Sequence, residues 1–174
     1  MGKSKSKLFK PLETSIIPLN AESVKPEDHV RSAYRRALAV EYAKHFIGTL
    51  YKWGGNDPMG GFDCSGFVVE VLQAVGVLPH GRDYSAHDLY SIFKSNTVFL
   101  GYQGCLAFWL NSEHTATHVM LLLDNEHVIG TIGGGSHTIT AADAVRDNAF
   151  LAVRPLNYRR PQIPVIADPF KEGV

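Results

Sequence analysis

"YKWGGNDPMGGFDCSGFVVEVL", residues 51–72, changes character at Cys64. Four glycines and a proline stand within the thirteen residues before it, a density that forces turns and unusual backbone angles. After it, Phe67, Val68, Val71, Leu72 and Val75 recur at helical spacing until Gly76 stops the run. Cys64 therefore falls in the first turn of a buried helix, at the exit of a glycine-rich loop. A helix start offers unpaired amides and the positive end of the helix dipole, which favour a thiolate. A glycine-rich turn also lets backbone amides approach a substrate and hold an oxyanion. The expectation is a nucleophilic cysteine with a lowered pKa. The competing reading is a small core residue at a helix start.

Upstream, residues 26–48 read as an amphipathic helix, with Glu27 and Asp28 in its first turn and Gly48 at its end. Val30, Tyr34, Ala37, Leu38 and Tyr42 are expected on its core face, with Phe46 and Ile47 closing it. Downstream, "YSAHDLYSIFKS" is a shorter helix opened by a capping-box pair, Ser85 and Asp88. The chain then turns to short branched and aromatic segments, "CLAFWL", "THVMLLLD", "HVIGTI" and "FLAVRP", with "TAADAVR" as a brief helix before the last. Asp124 and Asn125 suit a tight hairpin turn. Helices first and an antiparallel sheet second define an α+β fold, with the N-terminal helices packed on a central sheet.

The 174 residues, 45% hydrophobic, suffice for one domain with a sizeable core. It is expected over 26–156, between a flexible N-terminal arm, 1–25, and a Pro-rich tail, 157–174, running extended over the surface. Lys and Arg balance Asp and Glu at 17 each, so no global field attracts nucleic acid or a membrane surface. No apolar run approaches the roughly 18 residues of a membrane-crossing helix, and the lysine-rich start lacks the apolar centre of a secretion signal. "MGKSKS" fits the loose Gly2 lipidation pattern, as many soluble N-termini do. Cys64 and Cys105 are too few for a disulfide framework and are expected as free thiols, Cys105 at the entry to a strand.

A cysteine nucleophile needs a base on a rigid element. Among eight histidines, His118 is best placed, opening "HVMLLL" where the rim of a strand can aim an imidazole at the helix start. On pattern alone it reads equally as a structural histidine. "HTATH", 114–118, lacks the glutamate of a zinc-protease helix and any compact ligand set, so no metal or other cofactor is expected. "GGGSH", 133–137, is read as a hairpin loop.

"YKWGGNDPMGGFDCSGFV" together with "THVMLLLDNEHVIG" resembles the NlpC-type cell-wall cysteine peptidases, papain-like α+β enzymes that cut peptidoglycan stem peptides. The resemblance covers about residues 30–155. It implies that Cys64 is the nucleophile and His118 the base, and that Tyr51 lines the cleft. Asp63 and Ser65 then help to bind the free amino terminus of a stem peptide. The implied activity is a Cys-His endopeptidase cutting γ-D-glutamyl-type bonds through an acyl-enzyme. An amidase or transpeptidase on the same fold shares that step. The resemblance also implies a third polar residue twelve positions after the base, where this chain has Gly130. A glycine can orient the imidazole only through its backbone, and His137 in the next loop is the other candidate. That departure motivates a rival reading, a catalytically weakened binding or assembly module such as a phage tail component. The expected partner is a stem peptide or a similar small peptide, and no oligomeric state is implied. A start without a secretion signal fits a phage-encoded protein, or one held in the cytoplasm until it is delivered to the wall.

Overall fold

The computed structural model describes residues 26–171; the arm at 1–25 and its lipidation-like start lie outside the described residues. Helix α1, Pro26–Lys44, has Glu27 and Asp28 in its first turn and Lys44 in its last, each complementing the helix dipole. Its core face differs from the expected one. Ala39, Val40, Ala43 and Phe46 are buried, whereas Val30 and Tyr34 are each 70% exposed and Leu38 and Ile47 are exposed as well. Small residues let α1 approach its neighbours closely. Toward its N-terminal half, the inward groups are Ser32, whose hydroxyl donates to the Phe170 carbonyl, and Arg36, which pairs with Asp168.

The glycine-rich loop folds on itself as a short antiparallel ladder, β1 (Asn56–Asp57) with β2 (Gly61–Phe62). It runs straight into α2, Cys64–Ala74, which buries Phe67, Val68, Val69, Val71 and Leu72. Helix α3, Ala86–Phe93, starts with the expected box: the Asp88 amide donates to the Ser85 hydroxyl at 3.2 Å and the Ser85 amide to the Asp88 carboxylate at 2.9 Å.

The five strands of the main sheet are β3 (Leu106–Leu110), β4 (Ala116–Leu122), β5 (His127–Ile132), β6 (Phe150–Pro155) and β7 (Val165–Ala167). They lie in the order β6-β5-β4-β3-β7, every neighbouring pair antiparallel. Helix α4, Ala141–Arg146, interrupts β5 and β6 behind a second capping box, Thr140 with Asp143. Side chains on β4 alternate between two cores, as the period of a strand requires. Val119 and Leu121 join the helical core with Phe62, Phe67 and Leu72. Met120 and Leu122 join a second core with Cys105, Trp109, Val128 and Ile166.

The segment read as an extended surface tail closes that second core. Leu156 and Tyr158 pack against it, Ile166 lies within it, and β7 pairs with β3. Prolines at 161, 164 and 169 suggest an unpaired chain, yet "VIA" at 165–167 carries enough branched apolar surface to complete the sheet edge.

Candidate active site

Asp63 ties the loop to the helix. Its Oδ1 accepts from the Gly66 amide at 2.8 Å and from the Ser65 hydroxyl at 3.0 Å, and its Oδ2 accepts from the Gly54 amide at 3.1 Å. The loop and α2 touch backbone to backbone: a Cβ at Gly66 would lie 2.1 Å from the Gly55 carbonyl oxygen. The "DCSGF" run thus needs its glycine because no side chain fits between helix and loop.

Cys64 stands in the first turn of α2, partly exposed, with its thiol free. The backbone amides of Val119, Ser65 and Cys64 itself hydrogen-bond its sulfur and favour the thiolate. Burial, and then the negative charge of Asp63, outweigh them and push the thiol up to about 11. The expected lowering by the helix start is therefore reversed: an adjacent carboxylate and packed protein outweigh the helix-start amides. Cys105, buried at the entry to β3, is also free and is pushed to about 11, chiefly by burial.

The Val119 amide that reaches Cys64 belongs to the residue after His118, so the thiol lies against the start of β4, next to the residue that carries the imidazole. His118 pairs with Trp109 of β3 just where a bulge shifts the register. Its Nε2 lies 2.9 Å from the Tyr158 hydroxyl, and Trp109 packs against both rings, at 5.4 Å from His118 and 5.5 Å from Tyr158 between centroids. The Arg159 guanidinium lies 5.8 Å over the Trp109 ring. Burial, then the Arg159 charge, lower the imidazole pKa to about 3, so His118 is neutral at physiological pH.

Tyr158, then, occupies the far nitrogen of His118, where Gly130 or His137 was expected. Gly130 pairs with Ala152 of β6, and a Cβ there would meet Met120 Cγ at 2.9 Å, so Met120 fills the space of a side chain. His137 is exposed in the loop beyond β5. His127 sits at the hairpin, paired with Asp124 at 3.1 Å. Tyr158 escaped sequence reasoning because it lies beyond the last expected strand. The "NYRRP" around it carries no periodicity that would fold it back onto β4.

Tyr51 is brought to the thiol as well. Its ring is buried, and a Cβ at Gly134 would lie 2.2 Å from it, so that loop glycine leaves room for the tyrosine. Its hydroxyl is raised well above the ordinary tyrosine range, first by burial and then by the charges of Cys64 and Asp63. Cys64, Asp63, Ser65, Tyr51, His118 and Tyr158 thus form one cluster at the junction of loop, α2 and β4. It combines a thiol, a neutral imidazole and several backbone amides, the elements of acyl transfer to sulfur.

A family model described as the NlpC/P60 family matches residues 48–152. Over 85 residues the chain is 34% identical to a protein of Mycobacterium tuberculosis named "Probable endopeptidase", covering 48% of this chain and 21% of that relative. It is 28% identical over 117 residues to the murein DD-endopeptidase MepH of Escherichia coli, covering 61% of this chain and 40% of MepH. The chain thus spans about a fifth of the length of the mycobacterial relative. Among solved structures, the NlpC/p60 domain of the peptidoglycan hydrolase SagA superposes with a TM-score of 0.55 at 26% identity, over 76% of this chain and 97% of that one. The peptidoglycan hydrolase RipB of Mycobacterium tuberculosis shares the fold, with a TM-score of 0.59 at 21% identity, over 95% of this chain and 75% of that one.

Proposed function

The chain belongs to the NlpC/P60 family, and from that premise we propose that it is a cysteine endopeptidase that hydrolyses amide bonds in peptidoglycan stem peptides. The observation that carries this reading is the hydrogen bond from the Val119 amide to the Cys64 sulfur, which sets the thiol beside the residue that carries the imidazole. Both groups rest neutral, so the thiol proton moves as the bond forms and not before. Cys64 Sγ attacks the scissile carbonyl carbon while Nδ1 of His118 takes the thiol proton. Backbone amides at the start of α2 receive the negative oxygen. The intermediate collapses to a thioester, and the leaving amine departs with the proton from His118. A water then gives a proton to His118 and attacks the thioester carbon. The acid is released, and the sulfur regains its proton.

In this reading Asp63 holds the amino terminus of a stem peptide. A carboxylate offers about four acceptor positions, and Gly54, Ser65 and Gly66 occupy three here. Ser65 and Tyr51 flank the same space. This arrangement suits a bond close to a free amino terminus, such as the one that follows γ-D-glutamate.

Purified peptidoglycan is incubated with wild type, Cys64→Ala and His118→Ala, and the products are identified by mass spectrometry. New amino and carboxyl ends should appear with wild type alone. Equal release from wild type and Cys64→Ala would sink the reading. The masses also identify the bond, separating a γ-D-glutamyl cut from the DD cut for which the Escherichia coli relative is named.

A further inference from the structure

Among the described residues, the one hydrogen-bond partner of the His118 ring is the Tyr158 hydroxyl, 2.9 Å from Nε2. We propose that Tyr158 is the positioning residue of His118: it fixes the ring and its tautomer through Nε2 and so leaves Nδ1 to exchange a proton with Cys64, a role that rests on the peptidase reading above. Three features of the surroundings hold the contact. The Tyr158 amide donates to the Pro155 carbonyl at 3.0 Å, which turns the chain back immediately after β6. Trp109 stands edge-on to the Tyr158 ring, at 74°, and packs tilted, at 48°, against the imidazole. Met120 fills the space beside position 130, from which a third polar side chain was expected to reach the nitrogen.

A neutral imidazole has one donor nitrogen and one acceptor, and a base toward Cys64 must keep the acceptor at Nδ1. The proton then sits on Nε2 and is donated to the Tyr158 oxygen. When His118 takes the thiol proton, Nε2–H is still donated to the same oxygen, so the contact persists through the proton cycle. A carboxylate in this place would attract the imidazolium by charge. A phenol does not, and it therefore fixes orientation without raising basicity. The groups around the pair fit that division of labour. The Arg159 charge lowers the His118 pKa, and Arg159 and Arg154 both bring positive charge to Tyr158, so the nearby arginines disfavour a lasting imidazolium.

The full chain with Tyr158→Phe keeps the ring against Trp109 and removes only the hydroxyl. Nitrogen-15 NMR of the His118 ring reads the tautomer directly, and kcat and KM on a soluble stem peptide across neutral pH read the catalytic effect. Wild type should show one dominant tautomer, protonated at Nε2. The variant should show a mixture, with kcat reduced about tenfold, as the loss of one neutral hydrogen bond implies, and with KM unchanged. A folded variant with unchanged ring nitrogens and unchanged kcat would overturn the proposal. So would a wild-type spectrum with both tautomers equally populated, which needs no variant at all. A wild type that cleaves no stem peptide refutes the peptidase reading alone, because the nitrogen spectra still decide the tautomer.

Discussion

Cys64 and His118 lie where packed protein opposes charge, and this leaves a signature in stability as well as in chemistry. In the unfolded chain an imidazole takes a proton near pH 6.5, whereas folded His118 does so only near 3. Between these values the unfolded state binds the extra proton, so stability falls as pH drops from about 6.5 toward 3 and is fully present above that window. Thermal midpoints of wild type and His118→Gln, compared between pH 7 and pH 4, should show a steeper acid loss in wild type. Parallel curves would show that His118 titrates normally in the folded chain. The places of Cys64 at a helix start and His118 near a strand start were legible in sequence because loop, cysteine and strand-opening histidine stand in a specific order. Their protonation was not. The helix start that suggested a thiolate is visible in a sequence, while the burial that opposes it depends on what folds over the site.

The helices show the same limit at the level of the element. Their ends could be read from caps such as Ser85 with Asp88, because capping is a local exchange of hydrogen bonds. The packing face of α1 could not. Its largest apolar side chains, Val30, Tyr34 and Leu38, share one stripe, but Ala39 and Ala43, both fully buried, meet the rest of the fold. Close approach is won by small residues, which a hydrophobic pattern ranks low. Ala43→Leu should therefore cost about 2 kcal/mol through overpacking. Tyr34→Ser should change stability by no more than about 0.5 kcal/mol. Urea unfolding of the two variants checks both, and the reverse order would restore the face expected from sequence.

Across the whole molecule, the two ends of the described chain are bound to each other. Arg36 of α1 grips Asp168 through two parallel contacts at 3.0 and 3.1 Å, and the Tyr102 hydroxyl and the Phe170 amide donate to the same carboxylate at 2.8 and 2.9 Å. With side chains 16% and 6% exposed, the pair is well shielded from water. Asp168→Ala should therefore cost about 3–5 kcal/mol by leaving a buried guanidinium unpaired, a drop that denaturant midpoints would register; a change below about 1 kcal/mol would mean that water reaches Arg36. Such long-range pairing leaves no trace in local pattern, and for that reason residues 157–174 read as a tail. The strand β7 within that segment has a practical bearing on how the domain can be cut. A fragment trimmed to the span of the family match would strip the outer neighbour from "LAFWL", turning a covered strand into a bare, sticky margin open to other chains. Such a fragment would also lose Tyr158, so its aggregation and its inactivity would share one cause.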